Sequence, residues 1–392
     1  MLETGSATPS EPAPGWALRR CVGDVDEFVR EHWARRPLVH RSGASFEDLL
    51  DVDSIERMLT GLGRRPTFRV VKADGSIIPT SYTTSTRVGG VRIDDVADVE
   101  RILELVAGGA TVVLQALQRT WAPLTSFCHD LEVSASHPVQ ANAYLSPPNA
   151  AGLRAHEDTH GVFALQVSGT KRWNVAGEGE LRLGPGDVLY LPAGTRHEAW
   201  TAGAFSLHVT VGVLTTTRRQ VLHRIVDRLD AELDRPLPFG YAHPDRTGVL
   251  GDDLTDLVTT IRDRLTDVDP HEEADRQRQR SNRLRRRRPE RLAAIVDPQM
   301  VHDGVTLRRL TEAAVTDARD GNDADAAHER VALEFSDQRL LFPAAAKPAL
   351  DIVATRPTFR LDELVGLDPT SRAVIARRLI REGLLQIVVT DR

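Results

Sequence analysis

The sequence predicts an α+β fold in which short strands close a sandwich or barrel between helical segments, with a further small unit ending the chain. Three observations predict it. From about 110 to 213 the chain breaks into short apolar runs divided by Gly, Pro, Asn and Asp clusters, the texture of an all-β sandwich or barrel. On either side of that stretch the apolar spacing is helical. The closing residues carry a helix, helix, strand pattern of their own.

Taken in order, residues 1–15 are rich in Pro, Ser, Thr and Glu and predict a disordered tail. In 24–33 the residues Val25, Phe28, Val29 and Trp33 fall at helical spacing, and 51–62 and 96–107 behave alike, giving a helix-rich N-terminal part. Strands are predicted at 110–117, 140–145, 162–167, 172–175, 187–191 and 206–213. The stretch 183–194 (LGPGDVLYLPAG) holds two turns around one buried strand.

From 216 to 291 the pattern is helical again, through Val221, Ile225, Leu229 and Leu233 and then Leu254, Leu257, Ile261 and Leu265. Its last part, 276–291, sets nine arginines against one acid, Glu290. Such a run is ordinarily a solvated helix face or linker; its functional reading is a contact with RNA through charge. In the unit 296–392, residues 359–364, 371–382 and 384–389 read as helix, helix and strand, with Gly383 suited to cap the second helix. That order predicts a winged-helix-like domain. Nine Lys and Arg against eight Asp and Glu in 331–392 make DNA binding by it an unfavoured expectation.

The length of 392 residues exceeds one ordinary core and predicts two or three domains. A net charge of −6 excludes a whole-protein basic footprint for nucleic acid. Two cysteines, Cys21 and Cys128, give no disulfide framework, although one bond is arithmetically possible. The first fourteen residues lack the apolar core of a secretory signal, and no stretch nears the ~20 apolar residues that span a bilayer. A cytoplasmic protein is therefore expected, with no membrane partner.

The chemistry concentrates between 142 and 212. His156, Glu157 and Asp158 are followed forty-one residues later by His197. On extended backbone alternate side chains share a face, so His156 and Asp158 can reach one metal while Glu157 points away. His197, from a later strand, can complete a facial triad of two histidines and one carboxylate. Such a triad keeps coordination positions open and suits non-haem iron(II). A His-x-Asp pair alone is common in long chains. Its weight here comes from the turn, strand, turn of 185–192 (PGDVLYLP) that leads to His197.

These residues resemble the JmjC-type cupin oxygenases, especially the ribosomal oxygenases of bacteria and eukaryotes. The matching elements are 142–144 (NAY), 147–148 (PP), 156–160 (HEDTH), 163–166 (FALQ), 169–173 (GTKRW), 185–192, 197–199 (HEA) and 206–210 (SLHVT). Phe28, His32, Trp33, Arg36, Pro37 and Leu38 form a weaker upstream match. The resemblance implies a double-stranded β-helix (cupin/JmjC) barrel with helical additions, a catalytic domain over 16–215, a helical, dimerising region over 216–291, and the C-terminal winged-helix-like domain.

It further implies that His156, Asp158 and His197 bind Fe(II), and that Lys171 pairs with the far carboxylate of 2-oxoglutarate. A dicarboxylate needs a fixed cation opposite the metal, and a strand lysine supplies one. Asn142, Tyr144, His208 and Thr210 match positions near the co-substrate. His160 reads as a supporting residue, and Trp173 and Tyr190 as barrel packing. The activity implied is hydroxylation of a protein side chain, on a ribosomal protein among other possibilities, by a homodimer. The alternatives are hydroxylation of a peptide natural product or small molecule, a silent cupin acting as a binding or scaffold protein, and a zinc or manganese hydrolase. Two departures stand out. The 174–184 stretch is short where ribosomal oxygenases carry an insertion, which leaves the substrate undefined. Gly212 replaces a small hydroxyl residue, which would remove one hydrogen bond to the co-substrate.

Overall fold

The computed structural model describes residues 14–61, 63–151, 153–228, 234–243, 247–284, 298–318, 330–336 and 338–388. The predicted tail lies almost wholly outside them, as do Leu229, Leu233 and the arginines from 285 to 291. The chain divides into two compact units, one of residues 1–214 with 282–392 and the other of 215–281.

In the first unit, helix α1 (Trp16–Val22) and helix α2 (Val25–Glu27) lead through a π turn at Phe28–His32 to strand β1 (Leu38–Arg41). The sequence there packs an aromatic cluster. Phe28 lies edge-on to Tyr190 at 4.9 Å and beside Phe163 at 5.7 Å, and Trp33 stacks on Tyr190. The Ala34 N–H donates to the Tyr190 hydroxyl at 3.0 Å, so the buried phenol is satisfied.

Helix α3 (Val52–Thr60) is N-capped by Asp51, which accepts from the Ser54 N–H. Strands β2 (Phe68–Val71), β3 (Thr83–Val88) and β4 (Val91–Ala97) follow, then helix α4 (Val99–Ala107). The helix expected over 96–107 therefore begins late, because Val96 and Ala97 complete a hairpin strand and Asp98 caps the helix. Strand β5 (Thr111–Leu114) and helix α5 (Ala122–Ala135) precede the barrel strands β6 (Val139–Ser146), β7 (Gly161–Gly169), β8 (Lys171–Val175), β9 (Gly179–Leu183), β10 (Asp187–Leu191), β11 (His197–Trp200) and β12 (Ser206–Val213).

Seven strands form one antiparallel sheet in the order β1-β10-β7-β12-β6-β5-β2, and a second sheet has the order β11-β8-β9. Alternation along the strands divides their side chains. Leu207, Val209, Val211 and Val213 of β12 enter the core shared with α1 and α5. Ala164, Trp173, Val175, Leu183, Leu189 and Leu191 pack between the two sheets. Gly169 turns the chain from one sheet to the other. It has φ of +65°, and a Cβ there would stand 2.0 Å from the Phe205 carbonyl oxygen, so no other residue fits the corner.

The closing part has its own core. Strand β13 (Thr306–Arg309) lies between β17 (Thr358–Arg360) and β18 (Leu385–Val388), and β14 (Ala313–Ala318), β15 (Arg330–Phe335) and β16 (Gln338–Pro343) make a separate meander. The helices Lys347–Thr355 and Pro369–Glu382 bury Leu350, Val353, Ala376 and Leu379 among them. The helix expected over 359–364 is a short strand and one 3-10 turn. Residues 358–360 pair with β13, which overrides the local spacing. Gly383 caps the second helix as expected.

The second unit holds α6 (Arg218–Val226) and α7 (Thr247–Thr266), and α8 (Pro270–Leu284) runs through its end. Thr217 and Gln220 close a capping box on α6. Arg224 donates to Gln277 at 2.8 Å, and Arg228 pairs with the buried Glu273. Among the described residues no helix is long and apolar enough to cross a membrane, and both cysteines are free and buried.

Candidate functional site

Between the two sheets lies a cavity of about 330 Å³. Its position follows from register. Tyr144 is opposite His208, Asn142 opposite Thr210 and Gln140 opposite Gly212, so β6 and β12 present these residues on one face. Strand β8 presents Lys171 and Trp173 from the other sheet, and His197 comes from β11.

His156, Asp158 and His197 each offer a ligand atom within 4.8 Å of the others. His197 Nε2 stands 3.8 Å from Asp158 Oδ2. The segment that carries His156 and Asp158 is not a regular strand; His156 makes one isolated antiparallel pair with His197. Each of these two N–H groups donates to the other's carbonyl, at 3.0 and 2.9 Å. Glu157 is exposed, as the alternation requires.

Both imidazoles are oriented by their own chain. His156 Nδ1 donates to the Arg154 carbonyl at 2.8 Å, and His197 Nδ1 donates to the Thr195 carbonyl at 2.9 Å. A carbonyl cannot donate, so the proton sits on Nδ1 and each Nε2 keeps a lone pair for a metal. Burial pushes the His197 pKa down, which favours the neutral ligand form. Two imidazoles and one carboxylate fit an octahedral ion that retains open positions.

Lys171 is 2% exposed, and its Nζ donates to Ser146 Oγ at 2.8 Å. Ser146 Oγ is in turn 2.9 Å from Thr111 Oγ1. No carboxylate pairs with this ammonium among the described residues, and burial lowers its pKa to about 8. A buried cation held only by a hydroxyl is costly until an anion joins it.

His208 is stacked on Tyr144, centroids 4.9 Å apart at 6° between planes. It is buried, burial holds its pKa well down, and Nδ1 has no hydrogen-bond partner among the described residues. The Trp173 Nε1 is likewise buried without a partner. Burial raises the Tyr144 pKa, while the neighbouring Arg69 guanidinium opposes that shift.

All eight residues singled out in the sequence line this one cavity. Their engagement differs. Asn142 Oδ1 already accepts from the Ala116 N–H at 3.0 Å, so its amide nitrogen is the group left for a ligand. Trp173 both packs between the sheets and lines the cavity. Several lining residues, Arg69, Thr111 and Gln115 among them, were not singled out in the sequence. Arg69 and Thr111 come from strands far upstream of the motif, and Gln115 from the segment after β5. No periodicity around Arg69 distinguishes it from a surface arginine.

His160 packs over Gly212 instead of joining the triad. A Cβ at 212 would stand 2.4 Å from His160 Nε2. Gly212 therefore makes room for an imidazole on the cavity wall.

Residues 122–182 and 176–221 match the JmjC domain family. The Culex quinquefasciatus protein named bifunctional lysine-specific demethylase and histidyl-hydroxylase NO66 is 28% identical over 288 residues, 62% of this chain and 42% of that protein. Ribosomal oxygenase 2 of Mus musculus is 34% identical over 124 residues, 26% of this chain and 27% of that protein. The chain thus spans less than half the length of these relatives. The ribosomal oxygenase YcfD of Escherichia coli, solved with cobalt and 2-oxoglutarate, superposes with a TM-score of 0.50 at 16% identity, covering 93% of this chain and 98% of its own. At that identity the likeness is one of fold. The match to the JmjC domain covers residues 122–221, about a quarter of the chain, and the chain is similar to ribosomal oxygenases in sequence and in fold.

Proposed function

We propose that this protein is an iron(II)- and 2-oxoglutarate-dependent oxygenase that hydroxylates a protein side chain, with a ribosomal protein as the favoured target class. The observation that carries the reading is the buried Lys171 ammonium, which among the described residues has a hydroxyl but no carboxylate beside it and shares a cavity with the triad. A dicarboxylate supplies the missing charge. The names of the sequence relatives, a histidyl-hydroxylase and a ribosomal oxygenase, support the protein-side-chain substrate. Cobalt and 2-oxoglutarate in the fold relative support the ligand pair.

In this reading His156 Nε2, the Asp158 carboxylate and His197 Nε2 hold the metal. Lys171, with Ser146 and Thr111 behind it, holds the far carboxylate of 2-oxoglutarate; Asn142, Tyr144, His208 and Thr210 line its seat. Bound iron supplies oxygen activation coupled to decarboxylation of the co-substrate. The chain's part is to fix the ligands through the Arg154 and Thr195 carbonyls and to keep bulk water from the stacked Tyr144 and His208.

Residues 16–215 are then the catalytic domain. The helical region 216–291 joins two copies, supported by exposed Leu222, Leu254 and Val258 on its helices. The helix, strand, helix, strand order of 347–388 supports a winged-helix-like domain used for docking rather than DNA. A cytoplasmic setting supplies both iron(II) and 2-oxoglutarate. Light scattering of the full chain tests the dimer, and a monomer at high concentration removes it.

The decisive test is succinate formation by anaerobically iron-loaded protein given 2-oxoglutarate and oxygen. Turnover in the parent and none in His156→Ala supports the oxygenase. No turnover together with no 2-oxoglutarate binding in the iron-loaded protein overturns it in favour of a silent cupin.

A further inference from the structure

The cavity contains a second cation that the triad and Lys171 do not use. Arg69 lies on β2, opposite Val113 of β5, which is opposite Tyr144 of β6. Opposed residues share a face, so Arg69 reaches the same cavity as Tyr144. Its Nε is buried and has no hydrogen-bond partner among the described residues. Asp158 is the one carboxylate among the described lining residues, and it belongs to the metal set.

We infer that Arg69 is the seat for an acidic side chain of the substrate segment, an Asp or Glu at or beside the residue that enters the cavity, and that Arg69 excludes cationic side chains. The inference rests on the protein-hydroxylase reading and adds the substrate class to it. A guanidinium presents a planar fork that matches a carboxylate with two parallel hydrogen bonds. Lys171 has Ser146 within the fold and answers the co-substrate; Arg69 has the Tyr144 hydroxyl beside it but, among the described residues, no acid from the fold. The two ends of the co-substrate are already assigned, to the metal and to Lys171, so Arg69 remains for another anion. A lysine or arginine from the substrate meets like charge in a partly desolvated cavity, where screening is weak.

The test uses the full chain loaded with zinc, which takes the same ligands without redox chemistry, and with 2-oxoglutarate. Two synthetic peptides that differ only in a central Glu or Lys are titrated by calorimetry. The Glu peptide is expected to bind roughly tenfold tighter or more. Arg69→Met is expected to erase that difference with 2-oxoglutarate affinity retained, and Arg69→Lys to keep part of it. Equal, undetectable or reversed binding by the parent overturns the inference, and so does a preference that survives Arg69→Met. Loss of 2-oxoglutarate binding in Arg69→Met overturns it as well, by placing Arg69 in the co-substrate seat. Succinate formation without peptide reads the oxygenase assignment separately. Its absence beside an intact Glu preference removes the oxygenase and keeps the anion seat; its presence without a preference does the reverse.

Discussion

His156 and His197 are paired twice, once through backbone and once through side chains. Their N–H and carbonyl groups exchange two hydrogen bonds, at 3.0 and 2.9 Å, and their rings lie 4.4 Å apart between centroids. The backbone bonds survive truncation of either side chain. His156→Ala is therefore expected to abolish tight metal binding while leaving the melting temperature of the metal-free protein nearly unchanged, because His156 is only half-buried. His197 is 6% exposed, so His197→Ala is expected to lose metal binding and about 1–3 kcal/mol of stability as well. Metal titration and thermal unfolding of the two variants separate these effects.

Lys171 sets a pH dependence with a definite sign. Its folded pKa, about 8, lies below the ordinary 10.5 because burial disfavours the charge. The unfolded chain then binds more protons between these values, so the ligand-free protein gains stability from this group as pH rises from about 8 to 10.5. Below about 8 the full penalty is present. Co-substrate binding runs the other way. A carboxylate needs the charged ammonium, so 2-oxoglutarate affinity is expected to fall above pH 8, by up to about tenfold per unit. Lys171→Met is expected to raise the melting temperature of the ligand-free protein and to abolish 2-oxoglutarate binding. Calorimetry in buffers of different ionisation enthalpy would detect proton uptake on binding above pH 8.

Gly212 and His160 form a second test of fit. A methyl at 212 meets the imidazole at 2.4 Å, so Gly212→Ala forces the ring out of its place. His160 is half-buried and can swing toward solvent, which limits the expected cost to about 1–2 kcal/mol. His160→Ala should relieve it. In urea unfolding the double variant is expected to be more stable than the sum of the single changes, a coupling of about 1 kcal/mol. Additive effects would mean that the ring does not rest on Gly212.

The barrel was legible where strand alternation and turn chemistry coincide. Strands β6, β7, β10 and β12 lie within a residue or two of their expected limits, because each is long enough to show an apolar face. Strands β1 and β2 were not legible. Each has four residues, partly buried, and owes its strand form to β10 and β5 rather than to its own pattern. That explains why Arg69 escaped the sequence: its place depends on a pairing between 69 and 113 that no local signal announces. The triad is a similar case. Spacing alone allowed His156 and Asp158 to share a face, while the approach of His197 was implied by family resemblance and appears in the structure as one isolated backbone pair. The segment 359–364 misled for the opposite reason. Its apolar spacing suits a helix, but its first residues join a sheet edge.

The corner at Gly169 separates two costs that substitutions of glycine usually mix. Gly169 and Gly177 both hold positive φ, +65° and +86°. Around Gly177 a Cβ meets nothing within 4 Å, whereas at Gly169 it meets the Phe205 carbonyl at 2.0 Å. That carbonyl also accepts from the Thr170 N–H at 3.1 Å, so it cannot retreat without breaking the bond that starts β8. Gly177→Ala is expected to cost about 1 kcal/mol, the conformational term alone. Gly169→Ala should cost more than about 3 kcal/mol. It should also weaken 2-oxoglutarate binding, because Lys171 stands two residues beyond the corner. Chemical denaturation of both variants, with 2-oxoglutarate titration of whatever remains folded, checks the pair. Equal costs would show that the corner can relax, and that the position of Lys171 does not depend on it.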